Sequence, residues 1–161
     1  MPESASAVKA AESAASSSAK SRPSSDAVLA YGLLRFIFGI NIMLHGVTRL
    51  LAPQGAFLAY LNHYFEKTPL MPKEILPAFA IVLPWCEGIF GALVLVGAAT
   101  RFGLIAGSLV LAALAFGTNL AQDWNIAGLQ LIYAFIYYFL LANREQLNGL
   151  SIDGWRKKSA G

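Results

Sequence analysis

Four runs of apolar residues, at 28–50, 75–99, 102–120 and 125–142, divide the chain. Each is close to the roughly 17–25 residues that a helix needs to cross about 30 Å of hydrocarbon. The second and third are joined at residues 100–101 and the third and fourth at residues 121–124, so these neighbours are antiparallel. Only the first connection is long. Residues 53–72, PQGAFLAYLNHYFEKTPLMP, repeat Phe57, Tyr60, Leu61, Tyr64 and Phe65 at helical spacing, but the segment is too short and too polar on one face to span. The pattern predicts a helix lying in the interface, with His63 and Glu66 on or near its wet side and His63 an ordinary surface histidine. The chain therefore reads as an all-α integral membrane protein: four transmembrane helices in an antiparallel bundle, plus an interfacial amphipathic helix between spans one and two.

The first span, LLRFIFGINIMLHGVTRLL, carries Arg35, Asn41, His45 and Arg49. Polar groups at that depth are costly and mark a functional site by default. At about 100° per residue Asn41, His45 and Arg49 share one face with Arg35, and Gly32, Gly39 and Gly46 lie beside it. The second span places Ala80, Pro84, Glu87, Gly91, Val94 and Ala98 on one face, and Pro84 is expected to kink it. An ionised Glu87 in hydrocarbon needs a cation. At 1.5 Å per residue Arg35 lies about 10 Å, and Glu87 about 18 Å, above one common end of their spans. A long arginine closes most of that gap, and Arg101 stands at the turn. Arg35, Glu87 and Arg101 are expected to form a structural ion-pair group, with a proton-accepting or ligand-orienting role for Glu87 compatible with it. Gly103 and Gly107 form a GxxxG, which speaks for close helix packing.

Hydrophobic residues make up 57% of the 161 residues and charged ones 13%, against about 25% charged in a soluble domain, which fits a multi-span membrane protein. Basic residues flank the spans, so the net charge of +3 reflects topology and not nucleic acid. With both termini inside, eight basic residues (Lys9, Lys20, Arg22, Arg101, Arg144, Arg156, Lys157, Lys158) face the cytoplasm and three (Arg49, Lys67, Lys73) the outside, the arrangement expected for the inner membrane. Residues 1–27, rich in Ser and Ala, read as a disordered tail. Residues 28–155 read as the membrane domain and residues 156–161 as a basic tail. Cys86, the one cysteine, excludes an internal disulfide and any CxxC motif, and reads as inert packing.

His45 and Asn41 lie at a depth similar to Asn119 and Gln130 on spans three and four, and Gln130, Tyr133 and Tyr137 share a face. Histidine, amides and tyrosine hydroxyls in an apolar bundle suit the carbonyls of a quinone. His45, Asn41, Gln130, Tyr133 and Asn119 are the expected cofactor-binding residues, and His45 and Glu87 the expected catalytic ones. The alternative is polar glue between helices. A haem held by two histidines needs a second intramembrane histidine, which the chain lacks, and no metal site is expected.

These features together resemble the DoxX family of four-span membrane proteins, which includes the small DoxD-type subunit of thiosulfate:quinone oxidoreductase. The resemblance runs through LLRFIFGINIMLHGVTRLL, with Arg35 and His45-Gly46. It continues through CEGIFGALVLVGAATRFG, with Glu87, Gly91, Gly97 and Arg101, and ends with LNGLSIDGW, which looks like the family's Ser-x-Asp ending at Ser151 and Asp153. It implies a membrane subunit of a redox complex that contacts quinone and works with a partner subunit in the lipid bilayer, with homo-oligomers left open. Nothing in the chain supplies a cofactor site sufficient for electron transfer, so catalytic activity of the chain alone is left open. The rival readings are a non-catalytic anchor or assembly subunit and, less favoured for want of room for a pathway, a small-solute permease.

Overall fold

The computed structural model describes residues 23–159. Residues 1–22 of the expected tail and residues 160–161 lie outside the described part. Within it, Ser24 accepts a hydrogen bond from the Ala27 amide at 3.2 Å and caps helix α1, Ser25–Leu51, which therefore starts three residues before the apolar run. There follow α2 (Ala56–Tyr64), a short 3-10 turn (Lys73–Ile75), α3 (Leu76–Val96), α4 (Thr100–Leu120), α5 (Trp124–Leu147) and α6 (Ile152–Ser159). Residues 156–159, read as part of a basic tail, continue α6.

The architecture is all-α, and α1, α3, α4 and α5 include the four stretches long and apolar enough to cross a membrane. The chain is a multi-span membrane protein. Ile37, Ile81, Leu109 and Phe135, one on each long helix, are among the most exposed large side chains, as a lipid-facing surface requires.

The tightest packing joins α1 to α3. Glycine is required there because backbone meets backbone: a Cβ on Gly46 would strike the Pro84 carbonyl and Gly88, and one on Gly91 would strike the Met43 backbone. This is the glycine-notched face expected from the sequence, closing on the small-residue face of α3. α4 packs on α5 and on α3, and α1 meets α5 more lightly. Tyr31, Phe38, Val94, Leu104, Tyr137 and Leu140 fill the centre, and the Tyr31 hydroxyl donates to the Leu140 carbonyl at 2.8 Å. A second apolar cluster of Leu61, Phe65 and Leu76 fastens α2 to the start of α3.

Candidate functional site

Beneath α2 lies a cavity of about 530 Å³, walled by α1, α3, α4 and the start of α5. Its roof is an aromatic stack on α2: Phe57 and Tyr60 rings at 6.2 Å, then Tyr60 and Tyr64 at 5.8 Å, both near parallel. The i, i+3 and i+7 spacing produces this, since it aligns the three rings on one helix face. Leu61, Phe65, Phe79, Leu83, Leu111 and Leu114 complete an apolar wall.

Into that wall the bundle sets a pair of opposite charges. Arg49 on α1 donates to the Glu87 carboxylate on α3, and the guanidinium also lies 4.7 Å from the centre of the Phe57 ring. The Glu87 side chain is 6% exposed and that of Arg49 27%, so the pair is shielded from water on the carboxylate side. His45, one turn before Arg49 on α1, lines the same cavity. From the opposite wall come Thr118, Gln130 and Tyr133. The Thr118 hydroxyl donates to Gln130 Oε1 at 2.7 Å, which leaves the Gln130 amide nitrogen as a donor. Tyr133 donates to Asn41 Oδ1 at 3.1 Å, so Asn41 acts on the cavity through Tyr133.

Asp123 fastens the roof. Its carboxylate accepts from the Ile126 amide, capping α5, and from the Tyr64 hydroxyl at 2.9 Å. Burial first, then the bond to Asp123, push the Tyr64 phenol up to about 12, so it stays a donor throughout the neutral range.

Of the expected site residues, the structure therefore brings His45, Glu87, Gln130 and Tyr133 to one cavity, with Asn41 behind Tyr133. Asn119 is not brought to the cavity with them. It is exposed and donates to the Ala115 carbonyl of its own helix at 2.7 Å. A helix turns about 100° per residue, so the buried neighbour Thr118 takes the inward place instead.

The expected ion-pair group is not brought together either. Gly46 sits against Gly88 and Met43 against Gly91. In that antiparallel register Glu87 is level with about residue 47, two residues from Arg49 but about 18 Å along the axis from Arg35. Arg35 instead closes the other end of the bundle. Its Nη1 donates to the carbonyls of Val94 (2.5 Å) and Leu95 (2.7 Å), and its Nη2 to that of Leu150 (2.7 Å). The carbonyls of Val94 and Leu95 belong to the last turn of α3, where they have no partner inside the helix and carry the negative end of its dipole, while that of Leu150 lies in the turn between α5 and α6. Gly97, at φ +70°, makes room: a Cβ there would meet Ser151 and the Arg35 guanidinium. Arg101 is exposed at the start of α4 and does not approach Glu87.

The Ser-x-Asp segment belongs to the same closure. Asp153 accepts from the Ala99 amide (3.0 Å), the Thr100 amide (2.7 Å) and the Thr100 hydroxyl (2.8 Å), capping α4 from a distant part of the chain. Ser151 donates to the Asn148 carbonyl and accepts from the Gly154 amide. Arg35→Met should leave three carbonyls without donors and lower stability by about 3 kcal/mol or more, measured by thermal unfolding in detergent. Arg35→Lys should recover only part of that, because one ammonium cannot reproduce the fork.

Residues 27–125, more than half of the chain, match the model of the family described as Methylamine utilisation protein MauE. The chain belongs to the MauE family. The matched region takes in all but the first two residues of α1 and the whole of α2 to α4, and with them Arg35, His45, Arg49 and Glu87, while Gln130, Tyr133 and the Ser-x-Asp segment lie beyond it. The family is related to the DoxX superfamily, so the resemblance drawn from the sequence holds at that coarser level. No curated protein and no solved structure matches the chain.

Thr118, Tyr64 and Asp123 were not among the expected site residues, and Arg49 was expected only as one of the polar groups of the first span, not as the partner of Glu87. Arg49 carried a signal, since it falls on the same face as Asn41 and His45. Asp123 carried another, as an N-cap residue immediately before an apolar run.

Proposed function

We propose that the chain is the integral-membrane subunit of a redox complex in the inner membrane, of DoxX type, and that the cavity under α2 receives a quinone headgroup. The observation that carries this is the convergence of Arg49–Glu87, His45, Gln130 and Tyr133 on an apolar, aromatic-roofed cavity of about 530 Å³. That volume lies in the range of small-molecule sites, which pair apolar walls with a few directed polar groups. The donor set fits a flat ring with a carbonyl at each end. Arg49 and His45 stand on α1, and the Gln130 amide nitrogen stands on α5.

A bound quinone supplies a membrane-soluble carrier of two electrons and two protons. Arg49 would donate a charge-assisted hydrogen bond at one edge and Gln130 a neutral one at the other. His45 and Glu87 are the groups able to hold or pass a proton beside them. The stacked rings of α2 would keep water away from the headgroup. The excess of basic residues at the end carrying both termini supports a cytoplasmic location for that end. The family description makes oxidation of a small amine the first electron source to examine. The rival reading is an anchor or assembly subunit, supported by the Arg35 and Asp153 clasp, whose polar groups bond to the ends of helices.

The test is extractable quinone per protein after purification from native membranes in mild detergent. The wild type should carry quinone near one per chain. His45→Phe, which preserves bulk, should stay monodisperse and lose most of it. Undiminished quinone in the variant removes His45 from the site, and a wild type without quinone, even after reconstitution with it, favours the anchor reading.

A further inference from the structure

At the end of the bundle opposite the aromatic cavity, a recess of about 410 Å³ is lined by Ala99, Arg101, Phe102, Ile105, Arg144 and Asp153. Two guanidiniums face it from two helices, Arg101 in the first turn of α4 and Arg144 in the last turn of α5. Neither has a strong counter-charge among the described residues. Arg101 has no carboxylate within ion-pair distance among the described residues. Among the described residues Arg144 pairs only with its chain neighbour Glu145 at 3.3 Å, and the Glu145 side chain is 79% exposed, where such a pair contributes little. Asp153 also faces the recess, but its oxygens are engaged by the Ala99 and Thr100 amides and the Thr100 hydroxyl.

The floor is of the opposite character. Phe102 and Ile105 are 58% and 39% exposed and lead from the guanidiniums onto the lipid-facing side of α4. A cationic mouth above an apolar runway matches a molecule with a phosphate at one end and hydrocarbon at the other. Guanidiniums bind phosphate through paired, directed hydrogen bonds, and basic recesses between helices at the membrane surface select anionic headgroups.

We propose that this recess binds an anionic phospholipid, its phosphate held by Arg101 and Arg144 and its first acyl carbons lying on Phe102 and Ile105. Lipid bound there would brace the α4 and α5 ends beside the Asp153 clasp. A soluble phosphate compound would use the mouth but gain nothing from the floor, which is why the lipid is the occupant favoured.

The experiment is native mass spectrometry of the full-length chain in detergent, with phosphatidylglycerol or phosphatidylcholine added at equal amounts. Wild type should retain phosphatidylglycerol about tenfold or more over phosphatidylcholine, and Arg101→Gln/Arg144→Gln should abolish the preference. Because Arg144 is partly buried, Arg101→Gln alone is measured beside it and should lose a several-fold share. Lys157→Gln/Lys158→Gln removes the same charge outside the recess and should keep the preference. Equal retention by wild type and the double arginine variant overturns the proposal. So does equal loss in the lysine variant, which would mark a diffuse basic surface. Displacement of the lipid by millimolar glycerol phosphate would assign the mouth to a soluble phosphate and overturn it as well.

Discussion

Arg49→Gln is expected to destabilise the folded bundle by about 3–5 kcal/mol, because it leaves the Glu87 carboxylate, 6% exposed, without its cation. Glu87→Gln should cost less. The stranded guanidinium is 27% exposed, keeps its contact with the Phe57 ring, and has a flexible stem by which to reach water. The double variant Arg49→Gln/Glu87→Gln should be milder than the sum of the two, with a coupling of about 1–3 kcal/mol, since neither charge is then stranded. Arg35→Gln combined with Glu87→Gln should instead be additive, because those side chains sit at different levels of the bundle. Thermal unfolding of the wild type and the five variants, Arg35→Gln alone included, in one detergent checks both statements. Additivity for Arg49 with Glu87 would mean that the pair does not hold the wall of the cavity.

The second large effect belongs to the α1–α3 interface. Gly46→Ala and Gly91→Ala should each cost about 3 kcal/mol, at the upper end of what overpacking a core usually costs, because the added methyl meets backbone atoms that cannot rotate away. Gly88→Ala on the same helix is the control and should be nearly neutral or slightly stabilising, since a Cβ there meets nothing within 4 Å. The comparison is made as fraction folded after detergent extraction. A Gly91→Ala variant as stable as Gly88→Ala would contradict the register that sets Glu87 opposite Arg49.

The four spans were legible because hydropathy and length are sufficient to specify them, the packing face of α1 because glycine at a seven-residue spacing has few other uses in a lipid-crossing helix, and that of α3 because Ala80, Gly91 and Ala98 share a side with Glu87. Ends were less legible. α5 runs on to Leu147, past the apolar residues, because a helix continues into water until its polar last turn is capped, and hydropathy does not record this. α2 is shorter than residues 53–72 because Gly55, at φ +82°, starts it and the turn after Tyr64 ends it.

The polar contacts were legible by face but not by partner. Arg49, Asn41 and His45 were on the right side of α1, yet which of Arg35 or Arg49 meets Glu87 depends on how α1 slides along α3. That register is set by Gly46 against Gly88 and Met43 against Gly91, contacts that no periodicity within one helix reveals. The same limit exchanged Thr118 for Asn119, where a single residue of rotation decides which side chain faces the cavity. The Ser-x-Asp segment was noticed for its resemblance. Its physical role, capping α4 from some fifty residues away, needed the three-dimensional contacts.

The most direct measurement of the central claim is photo-cross-linking with an azido-quinone in membranes, with the labelled peptides identified by mass spectrometry. Labelling is expected on α2 around Phe57–Tyr64, on α1 around His45–Arg49 and on α5 around Ile126–Tyr133, and excess unlabelled quinone should suppress it. Labelling confined to the lipid-facing side chains Ile37, Ile81, Leu109 and Phe135, or unaffected by unlabelled quinone, would contradict a quinone site beneath α2.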